Sequence, residues 1–310
     1  MKNIKVSGLS YVKYQTTNLT VMQSFLEDFG LTLVENTGTK LYMKGLSNDP
    51  FIHVAELANK NKYIGAGFSV NSIDELKELA QKNNLEIIKS DYPGVDSLVS
   101  MVMPDGFLIE VIVKAPSSHS GNEDLGYINT PYQKNRKNCS VRILPGRKDV
   151  VRLGHFVLHV SNHSASVEWL NKNLGLIPAD YLAVPDTNQI VGTFMRIDKG
   201  SDYVDHHCLF VVQAKNIGTH HCSFEMRGLD DLMAAHDFLV SKNYQLDCGV
   251  GRHMLGSQIF DYWKDPFGFR VEHYIDGDVV NNEYVPEIFS GHADDTTQWG
   301  ARPDPEFFSA

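Results

Sequence analysis

The chain has 310 residues, with 28 basic against 38 acidic side chains and a formal charge of −10. That length suits two modules of about 150 residues, and a hydrophobic content of 42% excludes a disordered or fibrous chain. An acidic surface repels phosphate backbones, so nucleic acid is not an expected partner, and no run reaches the roughly 18 uncharged apolar residues of a membrane span.

In chain order, the basic N-terminus lacks the apolar segment of a secretory signal. LSYVKYQTTN, near residue 9, reads as a strand, and FLEDFGLTLV, from Phe25, as the end of an amphipathic helix closed by glycine and followed by a strand. GAGFSVNSIDELKELAQKNNLEI reads as strand, turn and helix, with an acidic residue near the helix start. MPDGFLIEVIV closes the half with a strand after a proline–glycine turn. Residues 115–150 are rich in Pro, Ser, Asn, Gly and charge and read as a linker.

The same order then returns as LGHFVLHVSN, WLNKNLGLIP, HHCSFEMRGLDDLMAAHDFLVSKNYQL and DPFGFRVEHYI. Offsets between matched positions grow from 144 (Tyr11 to His155) through 156 (Gly65 to His221) to 162 (Glu110 to Glu272). Four segments matching in order indicate an internal duplication with longer loops in the second half. The expected organisation is an N-terminal module over 1–114, the linker, a C-terminal module over 151–276, and a tail or lid over 277–310 without regular period. The fold class is α+β, with strand–helix–strands twice per module. The cysteines Cys139, Cys208, Cys222 and Cys248 are scattered without a CxxC pair, which points to buried or partly buried free thiols in a reducing cytoplasm.

Imidazole is concentrated late in the chain: 11 of 13 histidines follow residue 150. Where the first repeat has Tyr11, Gly65 and Glu110, the second has His155, His221 and Glu272, each in an expected strand. If those strand faces point into one concave sheet, two imidazoles and a carboxylate converge on one side of a cation. Such a facial triad leaves adjacent positions open and suits non-haem Fe(II), with Mn(II) as a reasonable substitute. Glu225 shares the face of His221 and is a rival carboxylate, whereas Glu110, without imidazole partners, reads as a relic. His206 and His220, as strand neighbours of candidate site residues, are expected to point away from the cleft or lie behind it. A hairpin turn at KDPFG centred on Pro266 would set Phe260 opposite Glu272 and bring Tyr262 to the carboxylate's face.

GHFVLHV, HHCLFVV, GTHHCSFEM and GRHMLGSQIFDYWKDPFGFRVEHY, in that order and near that spacing, closely resemble the type I extradiol ring-cleavage dioxygenases of the vicinal oxygen chelate superfamily. The resemblance implies paired βαβββ repeats forming a curved mixed sheet around a cleft, and a metal-free N-terminal module. It also implies Fe(II), or Mn(II), on His155, His221 and Glu272. By the same resemblance His207 is the acid–base residue, and His253 and Tyr262 line a catechol site. Dioxygen and a catecholic molecule are then the implied partners, and a homo-oligomer the implied assembly. The alternatives are a glyoxalase or thiol-transferase enzyme of the same superfamily, or a non-catalytic binding module. With one arginine, Arg302, and no lysine, the tail offers little to an anionic ring substituent.

Overall fold

The computed structural model describes residues 5–113, 128–291, 293–304 and 307. The first part of the expected linker, His119 and His292 lie outside the described residues. The first half runs β1 (Gly8–Thr16), α1 (Leu19–Phe29), β2 (Thr32–Asn36), β3 (Lys40–Lys44), β4 (His53–Leu57), β5 (Lys62–Val70), α2 (Ile73–Lys82), β6 (Ile87–Lys89), β7 (Ser97–Val102) and β8 (Leu108–Val113). The second runs β9 (Arg152–Val160), α3 (His163–Leu174), β10 (Ile177–Ala183), β11 (Ile190–Arg196), β12 (Val204–Asp205), β13 (Leu209–Gln213), β14 (Gly218–Glu225), α4 (Leu229–Ser241), β15 (Gln245–His253), β16 (Ile259–Lys264) and β17 (Arg270–Ile275). The tail adds β18 (Val279–Val280), β19 (Ile288–Phe289) and β20 (Thr297–Gly300). Apart from the two-residue β12, which pairs with β18 outside the large sheets, each half is two βαβββ units, within an α+β fold of large curved mixed sheets.

The repeat extends to the helix ends. The Asn18 side chain accepts from Val21 N–H to cap α1, and Asn162 caps α3 through Ala165 N–H. Both helices stop at a left-handed glycine, Gly30 or Gly175, a conformation that costs a β-carbon residue dearly. The first sheet runs β2-β3-β4-β1-β5-β8-β7-β6, and the second β19-β10-β11-β13-β9-β14-β17-β16-β15-β20. The tail therefore covers both edges of the second sheet: β19 lies parallel to β10, and β20 antiparallel to β15. Pairing these edges satisfies backbone groups that would otherwise recruit another strand.

The apolar stripes of the helices share one core with both sheets, where Phe29 meets Phe224 and Tyr63 meets Phe156. Val150, at the end of the expected linker, is fully buried, and its neighbour Val151 bridges Ser47 and Glu225 through backbone hydrogen bonds. Strand alternation then leaves each sheet a second face. In the first sheet that face is filled by Tyr11, Tyr42, Phe51 and Tyr92, with ring centroids 4.9–6.0 Å apart. In the second sheet it is an open cavity.

The candidate metal centre

Four strands put one row of side chains across the second sheet. Antiparallel pairing of β9 with β14 sets His155 opposite Ser223. Parallel pairing of β14 with β17 sets Ser223 beside Glu272, and the β16–β17 hairpin sets Tyr262 opposite Glu272. His221 stands two residues from Ser223 on the same strand. Ser223, small and fully buried, leaves room between the larger groups. The first sheet repeats this register: Tyr11 pairs with Gly67, and Gly67 with Glu110. There the Tyr11 phenol fills the row and donates to Glu110 at 2.7 Å, while a β-carbon at Gly67 would stand 2.1 Å from that ring.

The row brings His155, His221 and Glu272 together. Their nearest ligand atoms all lie within 4.8 Å of one another, and all three residues are buried. His155 Nε2 and His221 Nε2 are 3.3 Å apart, and Glu272 Oε2 is 3.3 Å from the first and 3.4 Å from the second. Glu272 is 0% exposed, yet neither of its carboxylate oxygens finds a hydrogen-bond donor. Burying an unpaired carboxylate is costly unless a positive charge meets it. Two imidazole nitrogens and an orphaned carboxylate oxygen facing one point are a donor set that fits a divalent cation.

The surrounding hydrogen bonds orient these ligands. His220 Nε2 lies 2.7 Å from the Phe307 carbonyl, which only accepts, so this nitrogen carries the hydrogen. His220 Nδ1, left with a lone pair, then accepts from His221 Nδ1–H at 2.6 Å. His221 Nε2 is thereby bare and directed at Glu272, the arrangement a metal-bound histidine adopts. Burial, partly opposed by Glu272, lowers the His221 pKa to about 4, keeping the ring neutral near pH 7. The side-chain amide of Gln258 stands 3.4 Å from the other nitrogen of His155, Nδ1.

The remaining candidates gather at the same place. His207 packs against His155 with ring centroids 4.4 Å apart, and His253 Nε2 meets the Tyr262 hydroxyl at 2.8 Å. Burial, reinforced by Glu272, pushes the Tyr262 pKa well up, so the phenol stays protonated. Glu225 is instead paired with Arg152, away from the row. The hairpin register differs from the sequence expectation by two residues: Tyr262, not Phe260, opposes Glu272. The reason is a longer loop, in which the Asp265 carboxylate accepts from Phe267 and Phe269 N–H. The hairpin is thereby centred beyond Pro266.

His155, His207, His221, His253 and Tyr262 floor a cavity of about 380 Å³. Its walls include Leu182, Val184, Phe194, Phe210 and Phe289, and among the described lining residues there is no Lys, Arg, Asp or Glu. Phe307 closes one side, its ring 5.0 Å from Tyr262 and 3.9 Å from the Arg270 guanidinium. Sequence reasoning did not single out Gln258, Phe307 or Asp180. A lone amide, a tail phenylalanine and a strand aspartate carry no motif of their own.

Residues 152–273 match the model of the Glyoxalase/Bleomycin resistance protein/Dioxygenase superfamily. Over nearly its whole length the chain is similar to extradiol dioxygenases. It is 24% identical to metapyrocatechase 2 of Cupriavidus necator, over 98% of this chain and 91% of that protein. It is 22% identical to the iron-dependent extradiol dioxygenase of Rhodococcus jostii (strain RHA1), over 90% of this chain and 92% of that protein. In fold it is similar to the Mn(II)-bound glyoxalase from Novosphingobium aromaticivorans, with a TM-score of 0.77 and 19% identity across 98% of this chain and 94% of that one.

Proposed function

We propose that the protein is an extradiol dioxygenase that opens a substituted catechol ring with dioxygen beside, rather than between, the two hydroxyls. The observation that carries this reading is the unpaired Glu272 carboxylate facing two imidazole Nε2 atoms on the floor of an apolar cavity. His155, His221 and Glu272 would hold Fe(II), with Mn(II) as the alternative, since imidazole and carboxylate accept both. Bound there, the ion would lower the pKa of a chelating diol and offer open positions to diol and dioxygen.

The chain's own groups supply the remainder. Tyr262 and His253, hydrogen-bonded to each other, would hold a substrate hydroxyl and keep it oriented. His207 is held neutral because burial, helped by His155 and His206, lowers its pKa well below the usual value. As a neutral imidazole it would take up a proton released by the diol and return it as the ring opens. The product would be a ring-opened acid of the 2-hydroxymuconic-semialdehyde type. Without a charged wall, the cavity favours catechols bearing neutral alkyl, aryl or hydroxyl groups.

In this reading residues 1–114 form a metal-free supporting module joined by the 115–150 linker to the catalytic module, 151–276, with 277–310 as a lid. Cys208, Cys222 and Cys248 are buried while Cys139, against expectation, is exposed; four thiols without a disulfide suit a cytoplasmic enzyme, and the family resemblance a homo-oligomer. The likeness to a Mn(II)-bound glyoxalase favours a second reading, a metal-dependent isomerase or thiol transferase. One assay separates them: protein loaded with Fe(II) without oxygen, then given catechol and air. A yellow ring-cleavage product supports the dioxygenase. Thiol-dependent turnover in its place supports the second reading, and metal binding with neither a binding module.

A further inference from the structure

We propose that Asp180 and His206 are positioning residues that hold His207 as its Nδ1–H tautomer, with Nε2 bare toward the cavity. The consequence for catalysis rests on the cleavage reading above; the tautomer itself does not.

Asp180 lies on β10 and is 3% exposed. Its carboxylate only accepts, and three groups serve it: Glu287 N–H at 2.8 Å, the Tyr284 hydroxyl at 3.0 and 3.1 Å, and His206 Nε2 at 2.9 Å. Burial alone would raise the Asp180 pKa, but His206, Glu287 and Tyr284 together bring it below the usual value. An ionised Asp180 obliges His206 to carry its hydrogen on Nε2. With that ring neutral, His206 Nδ1 has only a lone pair. That lone pair faces His207 Nδ1 at 3.0 Å, so the hydrogen between them belongs to His207. His207, 4% exposed, is left with Nε2 as its free nitrogen, on a ring that lines the cavity.

Two features flank this contact. A β-carbon at Gly256 would stand 3.2 Å from His206 Nδ1 and 3.5 Å from His207 Nδ1, so a side chain there would crowd the pair. Phe194 covers both rings from β11. Tyr284 and Glu287 belong to the tail, which therefore anchors the far end of the chain of hydrogen bonds. A bare Nε2 is what a base toward a diol hydroxyl requires. In the opposite tautomer the cavity would meet an N–H donor instead.

Long-range ring spectra of zinc-loaded protein labelled with 15N-histidine read the tautomer directly, with the His207 signals identified by their loss in His207→Phe. The expected result is Nδ1–H for His207 and Nε2–H for His206, with His207 becoming a mixture in Asp180→Leu. An Nε2–H His207 in the wild type, or an unchanged His207 in folded Asp180→Leu, overturns the proposal. Should Asp180→Leu not fold, kinetics of His206→Phe and His206→Gln decide. His206→Phe should lower kcat by about tenfold or more with KM changed less than about threefold, and His206→Gln, whose amide oxygen accepts from His207, should recover most of it. Equal losses in both variants at full metal content overturn the proposal. A wild type with the expected tautomer that cleaves no catechol sinks the cleavage reading and leaves the positioning intact.

Discussion

Tyr262 and Glu272 are direct partners across the β16–β17 hairpin, so a phenol and a carboxylate leave the sheet side by side. His253 Nε2 lies 2.8 Å from the phenol oxygen. Tyr262→Phe should therefore keep the metal and lower kcat by about 10- to 100-fold. Steady-state kinetics together with metal analysis would check this; full activity would remove the phenol from the reaction.

Glu272 stands unpaired in a buried site, so its removal should act oppositely on the metal-free and metal-loaded protein. Glu272→Gln should raise the stability of the metal-free chain by about 1–3 kcal/mol, because a neutral amide is cheaper to bury. It should also abolish the stabilisation on adding Fe(II) or Mn(II), which for a bound ion is about 2.7 kcal/mol at a hundredfold excess over Kd. Thermal melts with and without metal would show both effects. A purely structural Glu272 would give destabilisation in both states.

His207→Phe should retain metal and substrate binding and slow turnover by about 10²- to 10⁴-fold. His221→Ala should instead lose metal stoichiometry. Elemental analysis beside single-turnover rates separates the two; iron retained by His221→Ala would move the ligand to His220.

His53 is buried against Tyr14, their rings stacked 5.1 Å apart, and its Nδ1 has no partner. Burial lowers its pKa from 6.5 to about 3. The folded protein keeps this ring neutral, while the unfolded chain takes up a proton below pH 6.5. Its stability contribution is therefore complete above about pH 6.5 and is lost as pH falls toward 3, at up to about 1.4 kcal/mol per unit. His53→Phe should flatten the acid limb of a urea-denaturation series by that amount. An unchanged slope between pH 6 and 4 would contradict the assignment.

Much of this was legible because the chain repeats itself. Tyr11, Gly65 and Glu110 occupy the positions of His155, His221 and Glu272, and the strand registers of the two sheets run in parallel. The repeat also shows why Gly65 tolerates no side chain: a β-carbon there would meet the Leu108 carbonyl oxygen at 1.7 Å. The hairpin register was misplaced because the side-chain bonds of Asp265 lengthen a loop whose proline suggested a tighter turn. The edge strands β19 and β20 were not foreseen, being two and four residues long, too short for a periodic signal. The paired histidines were ambiguous in sequence, since only the carbonyl of Phe307 and the carboxylate of Asp180 reveal which nitrogen carries hydrogen.

The central claim is that His155, His221 and Glu272 surround one divalent ion. Anomalous diffraction at the iron edge, from crystals of protein loaded with Fe(II) under anaerobic conditions, tests it most directly. The account predicts a single strong peak about 2.0–2.2 Å from both Nε2 atoms and a Glu272 oxygen. A peak elsewhere, or none at full occupancy of the added metal, would contradict it.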